Sequence, residues 1–267
     1  LGWEPVPGDF CRGRHGYLSG TDRERAADLN GALRDPSIGA VWLLRGGYGT
    51  MRIVDRLDWD ALARHPKALI GFSDNTALHL AAHRAGVVAF HGPHPHTPEM
   101  PAFALDELVR VLTVPEPAGV LPFPPDGRAE TVTGGVAEGP LLGGNLSLLS
   151  ATLGTPYAIR PEGAILFIEE VGEPAYRLDR MLSHLRLAGV LSAVTGIAVG
   201  GITEAPRLNG APDPMDVVRD ALGGLGIPVA TGFPFGHIDD NWTLPMGVRA
   251  RLDADAGTLA LLEPAVA

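Results

Sequence analysis

Apolar positions along the chain switch between two spacings, and the switches mark its elements. Between Thr21 and Arg34 the stripe Ala26, Leu29 and Leu33 keeps helical spacing, behind a Thr21 that reads as an N-cap with Glu24 three residues on. Ile38 to Leu44 is an apolar run that predicts a buried strand, and it ends in Arg45-Gly46-Gly47-Tyr48-Gly49. A helix is predicted from Met51 to His65, with Ile53, Leu57 and Leu62 inward and Pro66 as its stop. Ala68 to Phe72 reads as a second short strand. From Thr76 to Ala85 the apolar residues Leu78, Ala81, Ala82 and Ala85 return to helical spacing. Val87 to Phe90 reads as a third strand, and Leu105 to Leu112 as a helix. Strand and helix alternate, which predicts a parallel α/β sheet. In such sheets chemistry gathers at the C-terminal strand ends. Arg45-Gly46-Gly47, Ser73 and His91 all fall at such ends.

Residues 1–20 are rich in Gly and Pro and read as irregular, with Trp3, Val6 and Tyr17 as anchors. Residues 114–128 carry Pro115, Pro117, Pro122, Pro124 and Pro125, and read as a linker between domains at 1–113 and 129–267. Beyond it the rhythm is richer in strands. Thr131 to Leu142 predicts strand with turns, and Asn145 to Leu153 a helix opened by Gly143-Gly144. Ala164 to Ile168 is a buried strand running into Glu169-Glu170. Tyr176 to Leu187 and Asp213 to Leu222 are predicted helices. Ala193 to Ile202, Pro228 to Ala230, Val248 to Leu252 and Thr258 to Leu262 are predicted strands.

Ser73 stands between the second strand and its helix. A strand–turn–helix of this kind holds a serine above the end of a sheet, as the nucleophile elbow of serine hydrolases does. Asn75 stands where that motif has its second glycine. The competing reading is a helix cap, since Ser, Asp and Asn favour helix N-termini.

Composition narrows the partners. The 267 residues hold 21 basic and 31 acidic side chains, a net charge of −10. That argues against nucleic acid or an anionic membrane as partner. No stretch approaches the roughly 20 apolar residues of a membrane span. With Cys11 as the only cysteine, no disulfide can form within the chain, which fits a reducing compartment.

Four further stretches could carry chemistry. Backbone N–H groups of Gly46 and Gly47 could line an oxyanion hole; a tight turn is the plain alternative. Glu169 or Glu170 could orient an imidazole; a solvated strand end is the alternative. Gly232-Phe233-Pro234-Phe235-Gly236-His237 presents His237 on a bracketed loop, where a neutral imidazole can act as general base. His91, His94 and His96 could be weighed as zinc ligands, but no second acidic or cysteine ligand stands at a recognised spacing, so no metal or cofactor is expected.

Together these motifs resemble the LD-carboxypeptidases, the S66 serine peptidases that include the microcin C immunity hydrolases. The resemblance rests on RGGYG (45–49), GFSDNTALH (71–79), HGP (91–93), GGN (143–145), LFIEEVGEPAYRLDRML (166–182) and GFPFGHIDDNWTLPMG (232–247). It implies a Rossmann-like parallel-sheet domain followed by a β-rich α/β domain, with the site between them. It implies Ser73 as nucleophile, Glu169 as the triad acid and His237 as base. The Asp74 amide, with that of Gly46 or Gly47, would complete the oxyanion hole. Arg45, Tyr48 and Asn145 are candidate substrate contacts. The implied activity is release of terminal D-alanine from a murein tetrapeptide by a cytoplasmic homodimer; the alternative substrate is an aminoacyl-nucleotide of the microcin type. A non-catalytic small-ligand binder is the reading from another class. Family members begin with a strand and a Pro-Ser turn that this chain does not show, with Leu1 part-way into the pattern; an incompletely represented chain is the preferred explanation, and true absence of that strand would leave an edge of the first sheet unpaired.

Overall fold

The computed structural model describes residues 2–95 and 100–267. Thr21 caps α1 (Asp22–Arg34) through a reciprocal box. Its Oγ1 accepts the Glu24 N–H at 3.3 Å, and the Glu24 carboxylate accepts the Thr21 N–H at 2.8 Å. β1 (Ala40–Trp42) is shorter than its apolar run, because the chain leaves the sheet toward the glycine turn. The single helix expected from Met51 to His65 is broken. Two 3-10 turns, Thr50–Arg52 and Val54–Arg56, precede α2 (Trp59–Arg64). The cause is Asp58, whose carboxylate accepts the Ala61 N–H at 3.0 Å and starts a new helix. β2 (Ala68–Gly71), a 3-10 turn at Ser73–Asn75, α3 (Thr76–Arg84), β3 (Ala89–His91) and α4 (Ala102–Thr113) follow.

Residues 114–128 do more than connect. They include β4 (Gly119–Val120), a strand of the second sheet, and the buried Leu121. Then come β5 (Glu130–Thr133), β6 (Val136–Asn145), α5 (Leu146–Thr152), β7 (Ile165–Val171), α6 (Ala175–Leu187) and α7 (Val190–Ala193). β8 (Gly196–Thr203), α8 (Pro214–Gly223), β9 (Val229–Thr231), β10 (Leu244–Pro245), β11 (Arg249–Asp253) and β12 (Thr258–Leu261) complete the chain.

Among the described residues the strands form two sheets in a mixed α/β fold. The first has order β1-β2-β3-β10; β1, β2 and β3 are parallel, and β10 returns from the far end of the chain to pair antiparallel with β3. β1 is its edge. The second has order β4-β12-β11-β6-β7-β8-β9-β5, with β6, β7, β8 and β9 parallel at its centre.

Alternation along β2 sends neighbouring residues into different cores. Leu69 joins Leu33, Ile53, Leu62 and Leu78, whereas Ile70 joins Phe90, Phe167 and Leu244. β2 therefore has an apolar layer on each face, as a central parallel strand should. Of the expected anchors of the first segment, all three are exposed, but Trp3 meets the ring of Trp42 and Tyr17 that of Tyr48, while Val6 stands at 69% exposure.

Candidate active site

Ser73 stands one residue past β2, after Phe72, with φ of +63°, a left-handed backbone that a non-glycine residue adopts at some cost. Its surroundings hold it there. The Asp74 carboxylate accepts the Thr50 N–H at 2.8 Å, and Thr50 Oγ1 donates to the Asp74 carbonyl at 2.6 Å. These bonds tie the glycine turn to the serine turn. Burial pushes the Asp74 carboxyl upward, and the bonds from Thr50 pull it back. Asn75 Nδ2 adds a long contact, 3.5 Å, to the Arg45 carbonyl.

The tie brings Gly46 hard against the serine. A Cβ on Gly46 would lie 2.8 Å from Ser73 Cβ and 3.0 Å from its Oγ, so only glycine leaves room. Gly47, at φ of +97°, lies beside the Arg45 side chain instead. Among the described residues the Gly46 N–H has no hydrogen-bond acceptor. The Asp74 amide heads the short turn after Ser73, where first-turn N–H groups lack partners within the helix.

Glu169 and Glu170 do not end a solvated strand. β7 runs on to Val171, and both carboxylates are buried between sheet and helices. Their tasks differ. Glu170 fastens the start of α5: Oε1 accepts from Asn145 Nδ2 at 3.1 Å and Oε2 from the Ser147 N–H at 2.7 Å. Asn145 in turn caps α5 by accepting the Leu148 N–H, so its side chain is occupied within the protein. Glu169 Oε2 lies 2.6 Å from His237 Nδ1. Burial drives the Glu169 carboxyl upward, and the imidazole bond opposes that.

His237 reaches both ends of this line. Its Nε2 lies 3.1 Å from Ser73 Oγ, across 164 residues of sequence. A neutral ring protonated on Nδ1 donates to Glu169 and accepts from Ser73. The loop is seated on the acid. Gly236 has φ of +108°, and a Cβ there would meet Glu169 Cβ at 2.6 Å. Asn241 closes the loop on itself: its Oδ1 accepts the Gly236 N–H at 3.1 Å, and its Nδ2 donates to the Gly236 carbonyl at 2.9 Å. The Phe72 ring meets the imidazole edge-on at 4.8 Å. Asn241 and Thr50 escaped sequence reasoning. The available signal was an amide five residues past a glycine in a Pro-bracketed loop.

The remaining candidates are placed as follows. Arg45 and Tyr48 are exposed on the glycine turn. His91 is fully buried and meets the Phe72 ring at 5.9 Å. Its neighbour His79, 6.4 Å away ring to ring, is buried too. Among the described residues neither ring has a hydrogen-bond partner. Burial holds both imidazoles neutral: His79 is lowered to about 3, and His91 well below its ordinary value. Among the described residues no three His, Cys, Asp or Glu side chains group as a metal site; His96 lies outside them.

A hydroxyl, imidazole and carboxylate in line, hung between two α/β sheets, is the geometry of the serine-hydrolase class. Residues 1–92 match the LD-carboxypeptidase N-terminal domain and residues 138–252 the LD-carboxypeptidase C-terminal domain. The chain belongs to the LD-carboxypeptidase (S66) family. A Streptomyces coelicolor relative is 44% identical over 280 residues, covering 99% of this chain and 86% of the relative. The murein tetrapeptide carboxypeptidase of Pseudomonas aeruginosa is 35% identical over 265 residues, covering 93% and 83%. Among solved structures, the microcin C7 self-immunity protein MccF, as an inactive mutant without ligand, superposes with a TM-score of 0.91 at 26% identity, covering 98% of this chain and 87% of that one.

Proposed function

We propose that the protein is a serine LD-carboxypeptidase that releases terminal D-alanine from a murein tetrapeptide. The observation that carries the reading is the unbroken line from Ser73 Oγ through His237 to Glu169, at 3.1 and 2.6 Å. His237 Nε2 takes the Ser73 proton as Oγ attacks the carbonyl carbon of the bond to D-alanine. The oxyanion is held by the N–H groups of Gly46 and Asp74. Collapse breaks the C–N bond, and His237 gives its proton to the departing amine. Water, deprotonated by the same nitrogen, then cleaves the acyl ester and regenerates Ser73. Glu169 fixes the Nδ1–H tautomer and stabilises the imidazolium. Its burial, with His237 as partner, keeps that attraction from being screened by water. The peptide reading is preferred to an aminoacyl-nucleotide because the chain is 35% identical to the murein enzyme of Pseudomonas aeruginosa and 28% to the immunity protein MccF of Escherichia coli.

Mass spectrometry of a defined tetrapeptide ending in diamino acid–D-alanine tests the reading. Wild type is expected to yield tripeptide and free D-alanine, and Ser73→Ala neither. An uncut peptide beside a cleaved aminoacyl-sulfamoyl nucleoside would transfer the site to the second substrate.

A further inference from the structure

An exopeptidase recognises the end of its substrate as well as the bond beside it. The departing D-alanine carries a free carboxylate only one residue beyond the scissile carbonyl, under about 4 Å along the chain. A cation that reads it must therefore stand next to the oxyanion corner.

Arg45 stands one residue from that corner in the chain. It directly precedes Gly46, whose Cα is held so close to Ser73 that a Cβ would lie 3.0 Å from Oγ. Its guanidinium folds back over the turn: two of its nitrogens lie 3.6 and 3.9 Å from where a Gly47 Cβ would be. It is also unoccupied. Nearby Arg25 and Arg52 both pair with Asp22, and Arg25 also donates to the Gly49 carbonyl. Among the described residues the exposed Arg45 side chain has no ion pair. The acid of the proposed relay, Glu169, is buried and committed to His237. On a chain of net charge −10, an uncommitted guanidinium on the glycine turn that meets Ser73 through Gly46 is a local attraction for an anionic substrate.

We propose that Arg45 is the specificity-determining residue that grips the substrate's terminal α-carboxylate. The inference rests on the carboxypeptidase reading and adds to it how cleavage is confined to the last bond. A guanidinium suits the task because its planar fork meets a carboxylate through two parallel N–H···O bonds, which an ammonium cannot do.

The test compares two substrates, the tetrapeptide with a free C-terminus and the same peptide as its C-terminal amide. Wild type is expected to favour the acid by about 100-fold in kcat/KM, the scale of a charge-assisted pair plus an unpaired charge. Arg45→Met should bring that ratio below about 5, chiefly through KM on the acid, and Arg45→Lys should restore part of it. Melting temperature and uptake of one serine-directed phosphonate per chain report that each variant has folded; Arg45→Lys alone decides if Arg45→Met does not fold. A variant that keeps the wild-type ratio overturns the role of Arg45 and leaves the carboxypeptidase reading standing. Wild type cutting neither peptide overturns that reading and the role of Arg45 with it.

Discussion

Replacing Gly46 by alanine adds one carbon at the point where two strand-end loops touch. Gly46 is not among the positive-φ residues, so alanine can adopt its backbone and the effect is one of contact. The new Cβ would sit 2.8 Å from Ser73 Cβ and 3.0 Å from Oγ. Carbon atoms rest at about 3.5 Å or more, so the pair must part by roughly 0.7 Å. Little can absorb this. Ser73 is held by β2 and by the Thr50–Asp74 bonds, and Gly46 by the same tie. A misplacement of about 1 Å costs a reaction about 100-fold, so Gly46→Ala should lower kcat for D-alanine release by roughly 25-fold. Stability should fall by about 1–3 kcal/mol, as for other overpacked sites. Steady-state rates and urea unfolding of the same preparation measure both. A variant with wild-type kcat would show that this corner takes no part in the reaction, and the oxyanion proposal would fail.

Asn241→Ala strips both partners from the Gly236 peptide that seats His237; unfolding free energy should drop by about 2–3 kcal/mol and kcat by more than KM changes. Wild-type rates there would show that the loop is held by other means. Acidification should destabilise the fold through His79. Its folded value is about 3, against about 6.5 in the unfolded chain, so the unfolded state gains the proton first. The stabilisation is complete above about pH 6.5 and is lost as pH falls toward 3, amounting to about 2 kcal/mol between pH 7 and 5. His79→Leu removes a ring with no hydrogen-bond partner among the described residues, so its stability curve should be flatter by that amount. Parallel curves for the two proteins would contradict a neutral His79.

Several features were legible because local chemistry decides them. Thr21 with Glu24 announces α1, and the apolar runs at 38–44 and 68–72 announce two parallel strands. Gly46, Ser73, Glu169 and His237 stand out as residues at strand ends and loops. What stayed hidden depends on distant partners. Asp58 begins a new helix because Asn30 and Ala61 meet it, and nothing in the periodicity of 51–65 marks that break. β10 is two residues long and pairs with β3 from the other end of the chain. The burial of Glu170 follows from α5 folding over it, and a Glu-Glu pair reads as solvated until that helix is placed. Periodicity could not show that Gly46, rather than Gly47, packs against Ser73, because that contact joins two loops far apart in the chain.

The central claim is that Ser73 Oγ owes its reactivity to an imidazole supplied from the far half of the chain. A serine-directed phosphonate, followed by peptide mapping, tests it most directly. The adduct should fall on Ser73 in the wild type, and its rate of formation should fall by at least about 1,000-fold in His237→Ala. Labelling of Ser73 at an undiminished rate without His237, or an adduct on some other residue, would contradict it.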